Sequence, residues 1–132
     1  MLQESQLEPW SILHFEDFVF ENGTSKNKYG VVVSNAPECY FILFFLTTSQ
    51  VEKYTKVIPD EDYITIPKGA VACFQKDTII FIDNSNLKKN DQAFFLWKAI
   101  SYQGKLPQEL LEELLQKSRN SKRIPKVYRD IL

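Results

Sequence analysis

The sequence predicts a mainly β, α+β chain, in which a small antiparallel sheet is closed by a C-terminal helix. Three observations carry that prediction. Strand-like apolar runs recur through the first two thirds, turn-forming residues separate them, and one leucine stripe at helical spacing follows near the end.

From Ser11 to Phe20, SILHFEDFVF alternates, with Ile12, His14, Glu16, Phe18 and Phe20 on one side of an extended strand and Leu13, Phe15, Asp17 and Val19 on the other. Asn22, Gly23, Thr24 and Ser25 supply turn chemistry, and the β-branched run YGVVVS, Tyr29 to Ser34, returns as a hairpin partner. Asn35, Ala36 and Pro37 turn the chain into CYFILFFLTT, whose unbroken apolar character implies an interior strand buried on both faces. Short strands are expected at Tyr63 to Ile66, Ala70 to Phe74 and Asp77 to Ile82, with Pro67 and Gly69 as punctuation. Asn84 to Gln92 reads as a polar loop or short helical turn. Ala93 to Tyr102 reads as a last strand, with helix as the alternative for AFFLWKAI. Pro107 suits the first turn of a helix running to about Lys117, in which Leu110, Leu111, Leu114 and Leu115 form one apolar stripe.

A chain of 132 residues, 44% hydrophobic, is long enough for one core and short for two, so a single domain over 1-132 is expected, with its body at about 10-118. No basic leader precedes an apolar run, which predicts a cytoplasmic location. The longest apolar stretch, Cys39 to Leu46, is well short of the roughly 18 to 20 residues of a membrane span, so no membrane partner is expected. Cys39 and Cys73 are flanked by apolar residues and read as buried thiols. Two cysteines and one histidine form no zinc pattern, so neither a metal site nor a cofactor is expected.

The net charge is −1, yet Lys117, Arg119, Lys122, Arg123, Lys126 and Arg129 crowd the last sixteen residues against Asp130 alone. This basic extension, 119-132, either contacts phosphate or clips its apolar residues back onto the body, and the second reading is favoured. His14, the only histidine, sits mid-strand, where a packed histidine is the commoner outcome than a catalyst. Trp10, Tyr29 and Tyr54 are candidate platforms for stacking single-stranded bases.

Several local patterns, in order, resemble the MazF/PemK family of small endoribonuclease toxins. LHFEDFVFENGTSKNKYGVVVS stands where the family has a phenylalanine-rich strand, an acidic loop, a Lys-x-Arg-Pro motif and a valine-rich strand ending in serine. FFLTTS, Phe44 to Ser49, is similar to the next strand's threonine-serine close. DTIIFID and YQGKLPQELLEELLQKS look like the late strands and final helix. The resemblance covers about Ser11 to Ser118 and implies a twisted, barrel-like antiparallel sheet. Two departures stand out. Lys28 and Tyr29 replace the Arg-Pro pair, exchanging a bidentate guanidinium for a point-charge ammonium. The family's late-strand arginine falls near Lys76 and Asp77.

The resemblance implies metal-independent cleavage of single-stranded RNA. Lys28 would neutralise the phosphate, Thr47 or Thr48 would donate a hydrogen bond to it, and Glu21 or Asp77 would be the carboxylate base. Thr47, Lys76 and Tyr29 would contact RNA. It also implies an antitoxin partner and a homodimer. The alternative is a catalytically inactive module that keeps the fold and binds a peptide or nucleic acid.

Overall fold

The computed structural model describes residues 2, 4–36, 41–91, 94–95 and 100–132. Strands β1 (Ser11–Val19), β2 (Ser25–Ala36), β3 (Phe41–Leu46), β4 (Tyr63–Ile66), β5 (Thr78–Phe81), β6 (Leu87–Asn90) and β7 (Ile100–Lys105) are joined by helices α1 (Val51–Thr55), α2 (Gln108–Arg119) and α3 (Lys126–Arg129). Five strands form an antiparallel sheet in the order β6-β3-β2-β1-β7, and β4 and β5 form a separate pair. The five-stranded sheet does not close on itself, because its edges β6 and β7 are not paired with each other.

Successive residues from Val31 to Val33 in β2 and from Ile42 to Leu46 in β3 alternate between two cores, which is why these stretches show no polar face. Val31, Val33, Leu43 and Phe45 join Ile64, Ile80, Leu111 and Leu114 on one side. Val32, Ile42, Phe44 and Leu46 join Leu13, Phe15, Phe18 and Phe95 on the other. Burying each of these side chains is worth about 1.5–3 kcal/mol. The central Gly30 lies beneath the stacked rings of Phe15 and Phe44, whose centroids are 5.1 Å apart. A Cβ there would come within 2.8 Å of the Phe15 ring and 3.1 Å of the Phe44 ring.

The simple alternation expected for β1 is broken. Its pairing with β2 shifts between Phe15 and Phe18, and Asp17 adopts φ 50° while its N–H bonds to Asn27 Oδ1 at 3.0 Å. A bulge of this kind inserts one residue and reverses the sidedness beyond it. Phe18 and Phe20 therefore pack with Phe15 instead of opposite it.

Three further expectations change. Ala70 to Phe74 is a double turn and not a strand. Ala70 N–H bonds to Pro67 O (3.0 Å), Phe74 N–H to Val71 O (3.1 Å), and Gly69 takes φ 84°. Within the expected loop Asn84 to Gln92, Leu87–Asn90 is the edge strand β6, recruited by the open side of β3. β2 begins at Ser25, four residues earlier than expected, because the KNK segment pairs with the bulged end of β1. Of the last expected strand, Ile100 onward is β7. Ala93 and Leu96 to Ala99 lie outside the described residues, as does Cys39.

Helix α2 follows Pro107, whose extended ψ of 142° sets it as the residue before the first turn. Leu111 and Leu114 are buried in the core, with Leu110 and Leu115 at its rim. The basic C-terminal segment folds back onto the body. Ile124 is buried in the same core, Ser34 Oγ donates to Ile131 O at 3.3 Å, and Arg119 Nε donates to Leu132 O at 2.7 Å. Arg123 reaches Asp62 at 3.1 Å and Asp83 at 3.2 Å. Burial raises the Asp83 pKa, but hydrogen bonds from Ser85 and Arg123 outweigh it and hold the carboxyl below its usual range. No helix among the described residues is long and apolar enough to cross a membrane.

Candidate functional site

The site forms where β2 passes the end of β3. Beyond Leu46 the chain leaves the five-stranded sheet and bridges to β5. Thr48 N–H bonds to Ile79 O at 3.0 Å, and Ile79 N–H returns to Thr48 O at 2.9 Å. That bridge draws the segment before β5 toward β2. A cavity of about 560 Å³ results, with Lys26, Lys28, Thr47, Thr48 and Lys76 in its walls and Tyr29 and Phe74 beside them.

Lys28 is the half-buried cation of this cavity. Its Nζ donates to the Thr47 carbonyl at 3.3 Å. Burial, and then the charge of Lys26, hold its pKa below the ordinary lysine range. Lys26 and Lys76 are exposed. The lining contains no carboxylate and no histidine, so nothing in the walls neutralises the three ammonium groups. Such a cavity favours an anion. Thr48 Oγ1 accepts the Gln50 N–H at 3.2 Å, which leaves its hydroxyl proton available to a ligand.

The seven residues that the resemblance ties to phosphate, base or RNA contact divide cleanly. Lys28, Tyr29, Thr47, Thr48 and Lys76 come together around the cavity. Glu21 does not. It is exposed on the turn after β1, where Gly23 N–H closes onto Phe20 O, and it is absent from the lining. Asp77 also lies outside. Its Oδ1 accepts the Lys68 N–H at 2.8 Å, and it lines an adjoining groove with Lys76, Ser49 and Gln50. Thr47 is buried, and its carbonyl accepts from Lys28 Nζ.

His14 packs against Tyr29 with ring centroids 4.8 Å apart and the planes tilted by 59°, and Tyr29 meets Phe74 edge-on at 5.1 Å. This places the histidine behind the cavity wall. Cys73 lines the cavity, but burial pushes its thiol pKa up, which keeps it protonated. Sequence reasoning missed Lys26. Its signal was the KNK spacing, since residues two apart on a strand share a face. Among the described residues, no group of three or more His, Cys, Asp or Glu is placed to hold a metal ion.

No protein-family model matches the chain, and no curated protein matches its sequence. Its structure is similar to a chain of the MazE-MazF crystal structure (Form-III) from Deinococcus radiodurans. The TM-score is 0.58 at 14% identity, over 84% of this chain and 91% of that one. The fold is therefore MazF-like. The cations that line its cavity are all lysines.

Proposed function

We propose that this chain is a toxin-like, single-stranded RNA-binding protein whose lysine-lined cavity holds backbone phosphates of the strand, one to each lysine. A single observation carries the reading: Lys26, Lys28 and Lys76 converge on one cavity that has no carboxylate in its walls. Phosphate contacts of this kind position a strand without reading its sequence. The likeness to a chain from a MazE-MazF complex supports a toxin role and an antitoxin partner; in this reading the partner competes for the same groove, on a homodimer.

Cleavage is the second reading, and the half-burial of Lys28 favours it. A lysine held below its ordinary pKa retains a larger neutral fraction, which is able to take the 2′-hydroxyl proton. The 2′-oxygen would then attack phosphorus, the bond to the 5′-oxygen would break, and that oxygen would take a proton from solvent water as it leaves. The products would be a 2′,3′-cyclic phosphate and a 5′-hydroxyl. Lys28, and not Glu21 or Asp77, is the base in this scheme, because neither carboxylate lines the cavity.

The test is titration of a labelled, unstructured RNA in EDTA, with the products run on a gel, for the native protein and for Lys28→Ala and Thr48→Ala. Saturable binding that Lys28→Ala weakens supports the RNA-binding proposal. Lys28-dependent cleavage establishes the enzyme. Absence of binding by the native protein removes both. Binding without turnover leaves the inactive module.

A further inference from the structure

A second cavity of about 170 Å³ opens on the other side of the same lysines. It shares Lys26, Lys28, Thr47, Thr48 and Gln50 with the first, so the two are continuous across Lys28. Its remaining walls differ in chemistry, being Phe20, Tyr54, Phe81, Leu46 and Asn86. The ring of Tyr54 is fixed edge-to-face against Phe81, with centroids 4.6 Å apart at 80°. Asn86 is fixed as well. Its Nδ2 donates to Leu46 O at 2.8 Å and to Phe81 O at 3.1 Å. With both amide protons committed to the backbone, Oδ1 is the polar atom that Asn86 has left for a ligand, and it acts only as an acceptor.

We propose that this second cavity is a base subsite: one unstacked base of a single strand enters it, packs against Tyr54 and Phe20, and donates a ring or exocyclic N–H to Asn86 Oδ1. The inference rests on the RNA reading above and gives it a substrate preference. The phosphate beside that base lies at Lys28, because Lys28 forms the wall common to both cavities. A flat aromatic wall next to a cationic one is the pairing by which proteins hold single strands. A duplex is excluded, since its bases are stacked and paired.

The experiment uses the full chain and three probes: octa-uridylate, the same octamer with abasic ribose throughout, and an octamer of N3-methyluridine. Tyr54→Ala should weaken octa-uridylate binding by about tenfold or more, from base–aromatic stacking. Tyr54→Phe should bind like the native protein. The abasic strand should bind native protein and Tyr54→Ala equally, because only phosphate contacts remain. N3-methyluridine should bind native protein more weakly than uridine, having lost the proton that Oδ1 accepts. Equal binding of octa-uridylate by native protein and Tyr54→Ala, with Lys28→Ala impaired, overturns the subsite and leaves the phosphate reading intact. Native protein that binds no probe overturns both.

Discussion

The salt dependence of binding follows from the number of cations in the cavity. Lys26, Lys28 and Lys76 are its three ammonium groups. Each phosphate neutralised on a single strand contributes about 0.7 to the slope of log affinity against log salt, so three contacts give roughly −2. Raising salt from 50 to 200 mM should then weaken binding about twentyfold. Lys28→Ala should reduce the slope to about −1.4, and the same salt step should cost about sevenfold. The absolute costs should differ among the three. Lys28 is half-buried, and a hydrogen bond to a charged group is worth about 1.5–3 kcal/mol. Removing it should cost at least tenfold. Lys26 and Lys76 are exposed, and each should cost about 1 kcal/mol or less. Fluorescence anisotropy across a salt series, in EDTA and with each lysine changed to alanine, measures all of these quantities. An unchanged slope in Lys28→Ala, or equal costs at all three positions, would refute the assignment of Lys28 as the central phosphate contact.

Other outcomes follow from the same structure. The folded-state pKa of Lys28 lies below its unfolded value, so between the two the unfolded chain binds the extra proton and stability rises with pH, while below both the burial penalty is present in full. A bound phosphate opposes that shift, so RNA binding should take up a proton at alkaline pH. Calorimetry in buffers of differing ionisation enthalpy detects this uptake, and its persistence in Lys28→Ala would count against the assignment. Gly30→Ala should destabilise the fold by about 1–3 kcal/mol through overpacking between Phe15 and Phe44, measured as a lower urea midpoint. Ile124→Ala should cost about 2–5 kcal/mol, which a solvated tail could not produce. Asp83→Asn should remove a stabilisation that is present above the unfolded carboxylate pKa and lost as pH falls through the lowered folded value, so acid unfolding curves of variant and native protein should converge.

The element order was legible because periodicity and punctuation are local properties. FILFFL is buried on both faces as its lack of alternation required, and the leucines of α2 dock as their spacing required. The departures lie where long-range pairing competes with local pattern. LKKN has little strand character of its own, yet it pairs with β3 because that strand otherwise leaves an open row of backbone groups. The bulge at Asp17 depends on Asn27, ten residues away, and no alternation rule contains that hydrogen bond.

The candidate site shows the same division. By itself the sequence determined which residues could carry the chemistry: cations at Lys28 and Lys76, hydroxyls at Thr47 and Thr48, and aromatics at Tyr29 and Tyr54. Only the tertiary structure decided which of them share a cavity. The bridge between Thr48 and Ile79 brings Lys76 to Lys28 and leaves Glu21 and Asp77 outside. Charge and shape are written residue by residue, but proximity between distant segments is set by backbone pairing and by the burial of two cores, and both exist only once the chain has closed on itself.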